Sequence, residues 1–335
     1  MKIGIAGAGV MGRVLAWRLC QAGFEVHLYD KNPTSKTSCS YIAGGMISPL
    51  AESIHLGKKG YHEGMRSLSL WSTLIQGFSK KISFNERGTL VVTTSAQRRS
   101  MTHYIDCLAM PVPLLEQNSL KEFEPEMPAW VGCYLPNEAV INPMEFMQTI
   151  DKELKSHDVH CTQAKINHIS KTQLFTEQDI LKFDQTIDCL GLGSTLHPTL
   201  RPVRGEIVIC EAKHVAISRP VRILNERFPC YIIPRENHIY TIGATEIETS
   251  DDNPMTVRSA LMLLSAAASL HSGFYEANIL EMRVGMRPTS SGIFPFVKEI
   301  EGVVCVNGLS RHGYLYAPFL AEQVLSRLQN EYTLQ

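Results

Sequence analysis

The first thirty residues constrain the fold more than any other stretch of the chain. A short apolar run, Ile3 to Ala6, leads into glycines at positions 7, 9 and 12, the spacing G-x-G-x-x-G. Such a run reads as a buried parallel strand. The following segment places Met11, Val14, Leu15 and Leu19 on one helical face, with Gly23 where a helix would end. Phe24 to Tyr29 reads as a second strand, closed by Asp30. Each residue type has a task in this order. Gly7 makes the tight turn, Gly9 lets the backbone approach a pyrophosphate, and Gly12 lets the helix pack close to the strand. The helix N-terminus offers unpaired N–H groups and a positive dipole to phosphates, and Asp30 is the acid that accepts from a ribose hydroxyl. Strand, helix, second strand and acid in register predict a dinucleotide site, against the alternative of an incidental glycine turn. The motif does not choose between dinucleotides.

Composition removes several other classes. The 335 residues carry a net charge of −1, so no basic excess recruits nucleic acid or an anionic membrane. No apolar run approaches the roughly 20 residues of a membrane span. The first strand starts at residue 2 and carries the glycine motif, where a signal peptide would lie, and this predicts a cytoplasmic protein. The nine cysteines (20, 39, 107, 133, 161, 189, 210, 230 and 305) are odd in number and form no C-x-x-C, as expected for reduced thiols. The 12 histidines form no H-x-x-x-H or mixed Cys/His cluster, so no metal is expected. Gly-x-Ser-x-Gly, a P-loop and closely spaced catalytic acids are absent from the sequence, which leaves hydride chemistry on a bound cofactor.

Along the chain, a polar loop over 31–40 precedes Gly44-Gly45-Met46, read either as backbone lying against something flat or as an ordinary turn. Helices are predicted over 61–79, 95–110, 143–156, 254–270 and 317–330, the third capped by Asn142 with Pro143 at its first position. A short turn-helix is expected at 120–125. Strands are predicted over 88–93, 131–135, 159–170, 173–175, 183–190, 204–210, 281–288 and 303–306, with a hairpin joining 231–235 to 238–245. A second strand-to-glycine turn follows at Gly191 to Ser194, and a third at Asn307 to Gly313 opens the last helix, a second positive dipole end. The β-α-β signals sit at both ends of the chain and the antiparallel-looking strands between about 204 and 287, so the nucleotide domain is expected to be discontinuous.

Three side chains carry substrate chemistry in this reading. Arg287, at a strand end before Pro288, suits a fork that clamps a carboxylate in two parallel bonds, or an ordinary ion pair. Tyr231 starts a strand and either supports a carboxylate or packs in the core. Arg311 lies between Gly308 and Gly313, in a loop aimed at a helix N-terminus, or is simply solvated.

The motifs Gly7-x-Gly9-x-x-Gly12, Gly44-Gly45-Met46, Arg204-Gly205-Glu206, Tyr231-Ile-Ile-Pro-Arg235, Gly243-Ala-Thr245, Gly285-Met-Arg287-Pro288 and Arg311-His-Gly313 occur in the order and approximate spacing of the FAD-dependent D-amino acid oxidase-like family. The chain resembles this family over essentially its whole length, and most of all its glycine oxidase branch, the one associated with thiamine biosynthesis. The resemblance implies an α/β fold with a Rossmann-type, glutathione-reductase-like FAD-binding domain (1–80, 137–203 and 288–335) and an inserted antiparallel-sheet substrate domain (81–136 and 204–287). It implies non-covalent FAD, with Gly7, Gly9, Val10, Met11, Gly12, Asp30 and Lys31 at the ADP half and Ile166 at the adenine. Cys39, Ser40, Gly44, Gly45 and Met46 would line the way to the flavin, and Leu309, Ser310, Arg311, His312, Gly313, Tyr314 and Leu315 the loop beneath it. Arg287 matches the carboxylate-gripping arginine, and Tyr231 and Arg311 its supports. Glu246 stands where the family has a pocket methionine, and it holds a substrate ammonium or polar side chain or else points into solvent. His312 replaces an asparagine, and Cys39-Ser40-Tyr41 replaces a threonine- and serine-rich run. The activity implied is oxidative deamination of glycine or another small amino acid (a D-amino acid, sarcosine) by molecular oxygen, giving an imino or keto acid, ammonia and hydrogen peroxide. Two alternatives stay open: a dehydrogenase passing electrons to another carrier, and a non-catalytic FAD-binding module. Homo-oligomerisation is compatible with the sequence.

Overall fold

The computed structural model describes residues 1–33, 38–197, 199–225 and 230–333, so part of the polar loop expected over 31–40, residues 34–37, lies outside the described residues. Lys2–Ala6 sits inside a six-stranded sheet, in the order Phe296–Ile300, Val303–Asn307, Gln185–Asp188, Lys2–Ala6, Glu25–Asp30, Cys161–Gln163. Neighbours run parallel, except that Phe296–Ile300 pairs antiparallel at one edge. The chain leaves the first strand toward Glu25–Asp30 and later returns on its other side. That reversal makes a switch point at the carboxyl end of Lys2–Ala6, where open α/β sheets bind ligands.

Alternation along the strands divides the core. Ile3 and Ile5 face the helices Val10–Gln21, Pro49–Gln76, Pro143–Ser156 and Gly313–Thr333, packing with Leu15, Trp71, Phe146 and Val324. Ala6 and Tyr29 face the other side, with Ile169 and Leu174 from a three-stranded meander (His168–Ser170, Gln173–Phe175, Ile180–Lys182) and with Phe183, which follows it.

A second, eight-stranded sheet is largely antiparallel. Arg201–Glu211 pairs with Asn278–Thr289 on one side and with Ile239–Gly243 and Ile247–Glu248 on the other. The sheet continues through Cys230–Pro234, Val221–Ile223, Thr89–Thr94 and Trp130–Leu135. Helix Val257–Leu270 covers one face with Leu263, Ala267 and Leu270. A small sheet of Met46–Ile47, Ala139–Ile141 and Phe84–Asn85 carries the strand that follows Gly44 and Gly45. No helix among the described residues is long and apolar enough to cross a membrane.

Several local expectations hold. The Asn142 side chain accepts from the Met144 and Glu145 N–H groups (3.1 and 3.5 Å) and starts Pro143–Ser156. The hairpin turns through Asn237 and His238, both at positive φ (59° and 57°). Others need correction. The segment Pro49–Gln76 is two helical stretches broken at Gly57 (φ +62°), so the helix expected from 61 starts just after that break, and its Gly60 and Gly64 face Tyr316 and Leu315, where they let helices approach closely. The helix expected over 95–110 is a turn at Ser95–Gln97 followed by Arg98–Asp106, and that expected from 254 begins at Val257, capped by Thr256. The single strand expected over 159–170 is two strands in different sheets, Cys161–Gln163 and His168–Ser170. The last helix begins at Gly313, not 317, with Pro318 inside it. Proline removes the N–H that would bond to the carbonyl four residues back, Tyr314 O. The Trp71 indole Nε1 donates to that carbonyl instead, at 2.6 Å in the core.

Candidate cofactor and substrate site

The dinucleotide end begins at the carboxyl end of the first strand. Gly7 has φ +100°, and a Cβ there would overlap the Cys189 carbonyl, so the first glycine turn rests on the second. A Cβ at Gly12 would overlap the Gly7 carbonyl oxygen, the close helix–strand approach predicted for the third glycine. Above Gly9, Ser40 Oγ is the one atom of the described residues near a built Cβ, at 3.2 Å, and the described residues leave the remaining space open. Ser40 Oγ accepts from Val10 N at 2.9 Å, and its carbonyl accepts from the Tyr314 hydroxyl at 2.7 Å. Asp30 closes the second strand. Its Oδ2 accepts from Ala8 N and its Oδ1 from Asn32 N, both at 2.8 Å, which fixes the carboxylate beside the turn.

The helix that starts at Gly313 meets this turn directly, since a Cβ built on Gly313 lies 3.4 Å from Val10 Cγ1. Two helix N-termini therefore stand side by side, and their positive ends add where a pyrophosphate would lie. The second and third glycine turns are tied together by Asn307, whose Nδ2 donates to Gly191 O (3.0 Å) and whose Oδ1 accepts from Gly308 N (2.8 Å). Asp188 holds the second turn by accepting from Leu190 N and Ser194 Oγ. Ile166 is buried in the loop after Cys161–Gln163, in the same cluster as Ala6 and Tyr29. Lys31 is exposed, and its carbonyl accepts from Gln163 Nε2 at 3.3 Å. An open groove over Gly9, backbone donors, two converging dipoles and a fixed acid fit the ADP half of FAD.

Going from there toward the second sheet, the Gly44 loop is held by Arg235, which sequence reading had not assigned to the site. Its Nη2 donates to Gly44 O (2.6 Å) and its Nη1 to Ile141 O (3.0 Å). With only neutral acceptors, burial pulls this guanidinium down to about 10. A Cβ on Gly44 would lie 2.9 Å from the Tyr231 hydroxyl, so the tyrosine ring occupies the space that the glycine leaves. Burial raises the Tyr231 phenol, which keeps it a neutral donor. Cys39, Tyr231 and Arg287 come together here, from three distant segments.

Arg287 lies on Asn278–Thr289 opposite Val203, and its guanidinium extends diagonally over Gly205, where a Cβ would overlap it. Its Nη1 donates to Thr245 O at 3.1 Å, and no carboxylate pairs with it among the described residues. Thr245 is itself held from behind. Its Oγ1 donates to Glu206 Oε2 and accepts from Glu206 N, both at 2.9 Å, and Glu206 accepts from Arg204 Nη2 at 2.7 Å. Burial pushes the Glu206 carboxyl up, but Ser259, Arg204 and Thr245 together hold it below the ordinary value. The motifs Arg204-Gly205-Glu206 and Gly243-Ala-Thr245 thus form one buried unit under Arg287.

Arg311 is in the opposite state. Its Nε donates to Glu52 Oε2 (3.1 Å) and its Nη1 to Glu246 Oε2 (3.0 Å). Glu52 also meets Arg222 Nη1 (3.1 Å) and His312 Nε2 (2.9 Å). Burial alone would raise the Glu52 carboxyl, but His312, Arg222 and Arg311 hold it well below the carboxylate range. Behind it, Glu138 is raised by burial, and Glu138 Oε2 and Arg222 Nε are buried without hydrogen-bond partners among the described residues. Glu52 was missed in the sequence because it lies in a short helical stretch before the break at Gly57, ahead of the helix expected from 61. Glu246 is half exposed and bound to Arg311.

Comparison with known proteins gives the family and the fold. A family model described as DAO, FAD dependent oxidoreductase, matches residues 2–327. A protein of Rhizobium etli named as a provisional thiamine biosynthesis oxidoreductase, ThiO, is 31% identical over 99% of this chain and 97% of its own. A glycine oxidase of Geobacillus kaustophilus is 21% identical over 99% of this chain and 93% of its own. Among solved structures, the glycine oxidase of Geobacillus kaustophilus superposes with a TM-score of 0.85 at 21% identity, covering 98% of this chain and 94% of that one. The L-proline dehydrogenase of P. horikoshii does so with 0.84 at 17% identity, covering 98% and 93%. At such identities the structural likeness speaks for the fold.

Proposed function

The chain belongs to the family of FAD-dependent oxidoreductases, and from that premise we propose that it oxidises the carbon–nitrogen bond of glycine or another small amino acid, such as sarcosine or a D-amino acid, with molecular oxygen as acceptor. The observation that carries this reading is Arg287. It is a half-buried guanidinium with one backbone acceptor and no carboxylate, beside a neutral tyrosine and the Gly44 loop. A buried cation left without its own anion is a site for a ligand's anion.

Bound FAD supplies the two-electron acceptor. Gly7, Gly9, Val10, Met11, Gly12, Asp30, Lys31 and Ile166 hold its ADP half. Cys39, Ser40, Gly44, Gly45, Met46 and the loop Leu309 to Leu315 hold the flavin end. Burial raises the Cys39 thiol, leaving it a poor nucleophile, so FAD is held non-covalently. Arg287 takes the substrate carboxylate in paired N–H bonds, Tyr231 donates its hydroxyl to the same group, and Arg311 closes the far side. Fixing the carboxylate orients the α-carbon and its amine, which must be in its neutral form to react. The imine product hydrolyses to a keto acid and ammonia, with hydrogen peroxide formed from oxygen. The division into an FAD-binding domain (1–80, 137–203, 288–335) and a substrate domain (81–136, 204–287) belongs to the same reading. The Rhizobium etli relative supports placing the reaction in thiamine biosynthesis.

Oxygen uptake and peroxide formation with glycine, sarcosine and D-alanine test this directly. Peroxide with at least one of them is expected. Dye reduction without peroxide would replace the oxidase by a dehydrogenase, and no turnover under either condition would leave a non-catalytic FAD-binding protein.

A further inference from the structure

Arg287 and Arg311 flank the same dipeptide but are in different electrostatic states. Arg287 Nη1 donates to the carbonyl of Thr245, and Arg311 Nη1 donates to the side chain of the next residue, Glu246. Arg287 has no carboxylate partner among the described residues, whereas Arg311 has two. The two anions on Arg311 also differ. Glu52 is buried and shared with Arg222 and His312, so it is fixed. Glu246 has a half-exposed side chain and Arg311 as its one ion-pair partner among the described residues, so it is the exchangeable member.

We infer that Glu246 is a specificity-determining residue that reads the charge at the far end of the substrate. It masks Arg311, so that amino acids with a second carboxylate are disfavoured and those with no side chain, a neutral one or a cationic one are accepted. This rests on Arg287 being the carboxylate clamp. Once the α-carboxylate is on Arg287, a second carboxylate reaches Arg311 only by displacing Glu246 or by lying against it, and like charges brought together without water are unfavourable. A cationic or amide end meets the Glu246 carboxylate instead. Removing that carboxylate leaves Arg311 with Glu52 alone and turns it into a second anion site.

The test compares the FAD-loaded protein with Glu246→Gln. One readout is the ratio of kcat/KM for D-alanine and D-aspartate. The other is the ratio of equilibrium affinities for acetate and malonate, which needs no turnover. In the natural protein, D-alanine over D-aspartate and acetate over malonate are each expected to be favoured by at least about tenfold, the size of one lost charge-assisted contact. Glu246→Gln is expected to abolish or reverse both ratios. Ratios that stay in place in a variant retaining its FAD overturn the inference. So does a natural protein that binds malonate as well as acetate, and this arm stands even if the variant does not fold. Arg287→Ala separates the two readings. If it leaves acetate affinity unchanged, the clamp fails and this inference falls with it; if it weakens acetate while Glu246→Gln moves nothing, only the role of Glu246 fails.

Discussion

At the nucleotide end the groups that would meet the ligand are mostly backbone. They are the turns at Gly7 and Gly191, the N–H groups of two helix starts, and one carboxylate pinned by the Ala8 and Asn32 amides. At the substrate end they are side chains, and Arg287, Arg311 and His312 are each held by another side chain or a carbonyl far away in sequence. Glu52 reaches Arg311 across 259 positions and Arg222 across 170. Backbone sites depend on sterics and fail all at once; side-chain sites depend on charge pairing and fail by degrees.

Substitutions at the two ends break this contrast or sharpen it. Gly12→Ala has the largest expected effect. Its methyl would overlap the Gly7 carbonyl, and backbone, unlike a side-chain tip, has nowhere to move. The variant should purify without FAD or not fold, as read from the ratio of flavin to protein absorbance; a normal ratio would mean the helix–strand contact is looser than described. Glu52→Gln comes next. Three cationic or hydrogen-bonding partners would lose a buried carboxylate, a loss of about 3–5 kcal/mol of stability at neutral pH. The folded protein holds this carboxyl below its unfolded value, so the stabilisation is present above the ordinary carboxylate pKa of about 4.3 and is lost as pH falls through the depressed one. Denaturant midpoints of the two proteins should converge on acidification, and a gap that stays constant with pH would exclude the charge as its source. Gly205→Ala is milder. Its methyl meets the guanidinium of Arg287, which can shift, so carboxylate ligands should weaken by about 1–3 kcal/mol while FAD content stays normal. Equal loss at both ends would remove the distinction between them.

The same contrast explains what the sequence disclosed. The G-x-G-x-x-G turn, Asp30 and the Asn142–Pro143 helix start are local patterns, and each was legible from spacing and residue type. Strands such as Val221–Ile223 and Ala139–Ile141 are three residues long, too short to show a period, and they went unread. Glycines 60 and 64 serve close helix packing, and Glu52 went unread because it sits in the short helical stretch before Gly57, outside the helix expected over 61–79. The last helix was expected from 317 and begins at Gly313, and nothing in the local sequence announces that Trp71 serves the carbonyl that Pro318 frees. Arg287, Tyr231 and Arg311 were singled out by residue type and position, which left a site role and a structural role open for each, and the family resemblance favoured the site role. No spacing rule predicts that one arginine is left open and the other is shared by two carboxylates.

Whether Arg287 grips the carboxylate of a small amino acid is tested most directly by anaerobic titration of the FAD-loaded protein and its Arg287→Ala variant with glycine, sarcosine and D-alanine, following the visible absorbance of the flavin. The natural protein should bleach with at least one of them. The variant should need concentrations higher by roughly two orders of magnitude, the equivalent of a lost charge-assisted pair of about 2–3 kcal/mol. Bleaching of both proteins at the same concentrations, or of neither, would contradict it.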